Sequence, residues 1–128
     1  MAARWQVKEQ RSPSAAFAEA EKAIERAIEI NGSAKAYQLA AQLCYWQAAW
    51  AISQQQDGKA AITGGLEMID RSIKIANLPE SNAVKGLLQL ASAKLTNDLE
   101  GRRKAVEVIG KAIESNRWLK HEYEPLMK

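Results

Sequence analysis

One internal offset restricts the fold of this chain more than any other feature. Displaced by 45 residues, the sequence lays Trp5 on Trp50, Gln10 on Gln55, and Ala15 and Ala16 on Ala60 and Ala61. In the same register and without a gap, Phe17 meets Ile62, Ala20 meets Gly65 and Ile24 meets Ile69. Arg26 then meets Arg71, Ile28 meets Ile73 and Ile30 meets Ile75. Amphipathic helices share apolar stripes by default, but the Trp, Gln and Arg matches in one register are more than a shared stripe. A third copy follows after a shortening of five residues, with Ile109 lying 40 beyond Ile69. Self-similarity at this period marks a helical-repeat array, in which each unit buries its apolar face only against its neighbours.

The local pattern is helical throughout. From Pro13 to Ile30, Ala16, Phe17, Ala20, Ile24, Ala27 and Ile28 recur at helical spacing, with Glu19, Glu21, Lys22, Glu25, Arg26 and Glu29 opposite. Ser12 and Pro13 suit the start of that helix, and Asn31-Gly32 its end, since glycine tolerates a left-handed closing residue. Ser33 is placed to cap the next helix, Ala34 to about Gln54, which carries Tyr37, Tyr45, Trp46, Trp50 and the single cysteine, Cys44. Gln56-Asp57-Gly58 breaks the chain before the second stripe, Ile62 to Ile73. Leu78-Pro79-Glu80 opens another helix containing Leu87, Leu88, Leu90, Ala91 and Leu95. Asn97 and Glu100 have capping-box spacing ahead of the third stripe, Ala105, Val106, Ile109, Ala112 and Ile113. Arg117 to Lys128 reads as a partial helix disturbed late by Pro125. No alternating strand pattern occurs, so the fold class is all-α, a single domain of antiparallel helix pairs. Its units span roughly 1–31, 33–77, 79–116 and 117–128, the first and last partial. This register cuts helices at both ends and leads us to expect a piece of a longer protein.

Composition excludes several classes of function. An apolar content of 47% with 26% charged residues is that of a folded chain, and only three prolines interrupt it. One cysteine precludes an internal disulfide framework and suits a reducing compartment, and no leader or membrane-length apolar run is evident, so a cytoplasmic location is expected. A single histidine, His121, and a cysteine placed between Leu43 and Tyr45 give no metal cluster and no Cys-His nucleophile pair. Gly64-Gly65 lacks the following Gly-Lys-Ser/Thr of a phosphate loop, and helix contact is its simpler explanation. The net charge of +3 comes from cations interleaved with acids, and Arg102, Arg103, Lys104, Arg117 and Lys120 fall short of a nucleic-acid surface. Trp118 beside them is read as a cap on the core. No enzyme, no cofactor, no metal, no nucleic acid and no membrane is therefore expected.

Small residues at Ala20, Gly65 and Ala105 are each followed four residues on by Ile24, Ile69 and Ile109, and three later by Ala27, Ser72 and Ala112. This small–large–small spacing resembles the second helix of a tetratricopeptide repeat. The turn proline of that family is missing after each second helix, and the period exceeds its usual 34 residues, so the helices are lengthened. A narrower resemblance lies in Ala3-Arg4-Trp5, Ala48-Ala49-Trp50 and Glu122-Tyr123-Glu124-Pro125-Leu126. These are similar to the helical repeats C-terminal to the catalytic domain of some bacterial eukaryotic-type serine/threonine protein kinases. No kinase motif accompanies them, and no phosphoryl transfer is implied.

The tetratricopeptide resemblance implies a right-handed α-solenoid that binds a protein or peptide partner in a groove lined by the first helices. Registered on Tyr37, that groove comprises Lys35, Gln38, Gln42, Tyr45 and Trp46, and in the next unit Glu80, Ala83, Leu87, Leu90 and Ala91. Tyr45 and Trp46 are its expected anchors, because their counterparts, Leu90 and Ala91, are not aromatic. Filling of inter-helix space by the same aromatics is the plainer alternative. Two other roles fit the pattern: a homo-oligomer formed through the unfinished end helices, and a small ligand-binding helical bundle that imitates a repeat. The register has one direct consequence for stability. Ile69→Ala is expected to cost about 2–5 kcal/mol in denaturant unfolding, whereas a loss well below about 1 kcal/mol would mean the repeat is wrongly registered.

Overall fold

The computed structural model describes residues 14–127. Five helices of 17 to 20 residues follow one another: α1 (Ser14–Ile30), α2 (Ala34–Ser53), α3 (Lys59–Ile75), α4 (Pro79–Leu95) and α5 (Leu99–Ser115). A one-turn helix, α6 (Lys120–Tyr123), is flanked by the 3-10 turns Arg117–Leu119 and Glu124–Met127. No strand occurs among the described residues. The most extensive contacts are α2 with α3 and α4 with α5. Helix α4 packs on α3 to join these two pairs, it also touches α2, and α1 lies along α2. The chain is an all-α, repeat-like array with two complete helix pairs, α2 with α3 and α4 with α5. Trp5, Gln10, Ser12 and Pro13 lie outside the described residues.

The helix ends follow local chemistry. Ser33 caps α2 by accepting the amide of Ala36 at 3.2 Å, and Pro79 opens α4, where a missing N–H does no harm. Asp57 accepts the amide of Lys59 at 2.9 Å ahead of α3. Two expectations need correction. Gly32 does not adopt a left-handed conformation. The left-handed residues are Gln55 (φ 59°) and Asn97 (φ 54°), which close the first helices of both pairs. Because Asn97 sits in that conformation, it is Asp98 that caps α5, accepting the amide of Gly101 at 2.9 Å. The five-residue shortening of the second unit is divided in two. Helix α2 has 20 residues and α4 has 17, so the helix gives up three and the connecting turn the other two.

Close approach of helices at small residues sets the packing. Gly65 on α3 faces Leu88 of α4 and Cys44 of α2, where a Cβ would stand 2.9 Å from Leu88 Cδ2 and 3.0 Å from Cys44 Cβ. Gly86 on α4 faces α5, where a Cβ would fall 2.5 Å from Ile109 Cγ1 and 3.3 Å from the carbonyl oxygen of Ala105. Beside these crossings Ile69 and Ile109 are fully buried, each worth about 1.5–3 kcal/mol of burial. Ser72 and Ala112, three residues on, are buried as expected. The hydroxyl of Ser72 donates to the carbonyl of Ala34 at 2.7 Å and shares a 3.0 Å hydrogen bond with the hydroxyl of Ser81. This buried chain ties α2, α3 and α4 together. In α1 the equivalent positions are less enclosed: Ala20 and Ile24 are half-buried and Ala27 is exposed. Phe17 is buried, and Gln47 donates to Glu21 at 2.6 Å, holding α1 on α2.

Gly86→Ala separates two opposing effects. Alanine is the better helix former by about 1 kcal/mol, but its methyl would overlap Ile109 and press on the α5 backbone, an overpacking worth about 1–3 kcal/mol. The variant is expected to be net destabilised by about 1 kcal/mol in urea unfolding. A stabilised variant would contradict this crossing.

Candidate functional site

Helices α2 and α4 lie side by side as the first members of their pairs, and the expected groove residues divide between them. Lys35 is exposed at the start of α2. Gln38 is 4% exposed, Ala83 fully buried, and Leu87 and Leu90 nearly so, so all four belong mainly to the core. Gln42 and Ala91 are half-buried. Tyr45 and Trp46 are half-buried and meet edge to face, their ring centroids 5.1 Å apart at 78°. Glu80 is half-buried and accepts a hydrogen bond from the side-chain amide of Asn116.

Part of this face is already covered by the end of the chain. Leaving α5 at Asn116, the 3-10 turn, α6 and the second 3-10 turn bring Leu119 and Tyr123 into the core cluster, with Leu126 and Met127 packed against it. Gln42 Nε2 donates to the phenol oxygen of Tyr123 at 3.3 Å, across 81 positions of sequence. The side-chain amide of Gln38, one turn before Gln42, has no hydrogen-bond partner among the described residues.

The open remainder is an apolar trough of about 280 Å³. Tyr45, Ala49 and Ile52 of α2 form one wall and Leu87, Leu90, Ala91, Lys94 and Leu95 of α4 the other, with Leu126 completing the lining. Of the expected set the structure brings Tyr45, Leu87, Leu90 and Ala91 together here. Trp46 touches the trough only through the Tyr45 ring, and Lys35, Gln38, Gln42, Glu80 and Ala83 do not line it. Sequence reading missed Ala49, Ile52 and Leu95. Their signal was an apolar side chain one or two turns beyond Tyr45 and Leu90, at the helix ends. It also missed Tyr123 and Leu126 as neighbours of the groove.

Other candidates for chemistry have structural explanations. Cys44 packs beside Gly65, and burial, followed by the negative charge of Glu21, pushes its thiol pKa up, away from the thiolate that nucleophilic work requires. Arg103 pairs with Glu100 and with Glu107 at 3.0 Å, and Lys120 lies 3.9 Å from Glu124, so acids accompany the cations of this region. Trp118 does not cap the core: it is 87% exposed, because the turn at Asn116 directs Leu119 inward instead. Among the described residues no group of three or more His, Cys, Asp or Glu could hold a metal, and no helix is long and apolar enough to cross a membrane. Compared with protein-family models, curated proteins and solved structures, the chain matches none.

Proposed function

We propose that the protein is a non-enzymatic interaction scaffold of tetratricopeptide type, which binds a protein or peptide segment between its first helices. The observation that carries this reading is the trough between α2 and α4, apolar on both walls apart from Lys94 and open at Ile52 and Leu95, which are 37% and 41% exposed. An apolar cleft beside a few polar groups such as Gln42 suits side-chain anchors of a peptide, with Tyr45 as the aromatic contact. The repeated helix pairs fit a docking or regulatory region of a larger bacterial signalling protein, of which a serine/threonine kinase is one example. A cytoplasmic setting agrees with the single, half-buried cysteine.

Panning a displayed library of helical and extended peptides on the full chain tests this reading. Enriched ligands are expected to carry apolar or aromatic anchors, and to lose at least about tenfold in affinity (about 1.4 kcal/mol) with Tyr45→Ala or Leu95→Glu. Ligands whose affinity neither substitution changes would move the site elsewhere, and a library that yields none would oppose the proposal.

A further inference from the structure

The segment that leaves α5 has the form of a ligand. Leu119 and Tyr123 are buried and Leu126 is half-buried, at positions i, i+4 and i+7, while Trp118, Lys120, His121, Glu122 and Glu124 face solvent. That is the side-chain pattern of an amphipathic helix laid in a groove. It reaches both first helices: Tyr123 meets Gln42 of α2, the last 3-10 turn packs on α4, and Leu126 lines the trough together with Tyr45 and Ala49. The single extended residue Asn116 (φ −143°, ψ 98°) connects it to α5.

The fit is incomplete in three places. Pro125 cannot continue the helix begun at Lys120, because its ring opposes the carbonyl of His121, and the last turn is 3-10. Gln38 is enclosed without a hydrogen-bond partner among the described residues. The trough extends past Leu126 to Ile52 and Leu95, and Leu126 is the only member of the segment that lines it. An unbroken helix with a further apolar residue one turn beyond the triplet would fill that space.

The geometry points to Arg117–Met127 as an occupant in cis of the partner groove, in competition with an amphipathic helix of another protein. That helix presents an apolar residue, an aromatic residue and an apolar residue at i, i+4 and i+7. This assignment rests on the groove reading above and adds both the ligand class and the element that regulates access to it. Release of the segment frees Gln42 from Tyr123 for the incoming helix, while Leu87 and Leu90 keep their place in the α4 wall.

The test uses the full chain and one probe, a fluorescein-labelled synthetic peptide with the sequence of residues 117–127 carrying Pro125→Ala. Fluorescence anisotropy is expected to show at least tenfold tighter binding to the Tyr123→Ala chain than to the unaltered one. Adding Ala49→Glu should abolish that binding. Should Tyr123→Ala fail to fold, as judged by circular dichroism, Leu126→Ala carries the same expectation in the trough. Equal binding to unaltered and released chains, or no binding to a folded released chain, would overturn cis occupancy. Library-selected ligands that bind both chains equally would overturn it while leaving the groove itself intact. Ligands that also ignore Ala49→Glu would remove both.

Discussion

The structure depends on how closely helices can approach where a side chain is nearly absent. At Gly65 and Gly86 there is no room for a Cβ without displacing Leu88 or Ile109. The gap left by each glycine is filled by a large residue from the facing helix, so close packing and full burial arise from one arrangement. Helix α3 uses it to lie on α4, and α4 uses it to lie on α5. A chain of 17-residue helices would otherwise need much larger apolar faces to obtain the same burial. The hydroxyls of Ser72 and Ser81 add direction, because their hydrogen bonds to each other and to Ala34 are satisfied in only one relative placement of α2, α3 and α4.

The groove follows from these contacts. Once α3 is seated between α2 and α4, the two first helices stand close enough to touch, and their shared face needs a cover. The end of the chain covers the half near Gln42 with Leu119 and Tyr123 and leaves the half near Ile52 and Leu95 open. Covered and open halves therefore belong to one surface, divided where Pro125 ends regular helix.

Much of the array was legible in sequence because it rests on local, repeated constraints. Gly65, Ile69 and Ser72 recur as Ala105, Ile109 and Ala112, and both triplets are buried as their spacing requires. Ser33 and Pro79 marked helix starts through chemistry confined to a few residues. What was not legible depends on geometry over distance. Ala41 and Gly86 are also 45 apart and both buried, yet a small residue in an alanine-rich helix does not stand out until the facing helix is known. Asn97 and Asp98 both suit a cap, and the left-handed turn at Asn97 decides between them. Gln38 and Ala83 faced the groove in register but are enclosed, and the path of the segment after Asn116 brings Tyr123 to Gln42, one turn from Gln38. Nothing near Tyr123 in sequence indicates that partner.

A double-mutant cycle between Gly86 and Ile109 probes the helix crossing most directly. Unfolding free energies would be measured for the unaltered chain, Gly86→Ala, Ile109→Ala and the pair. If the Ile109 side chain occupies the space above Gly86, Gly86→Ala ceases to destabilise once that side chain is gone, and the two changes couple by about 1–3 kcal/mol. Additivity within about 0.3–0.5 kcal/mol would mean the two positions do not meet, and would contradict the packing on which the array and its groove rest.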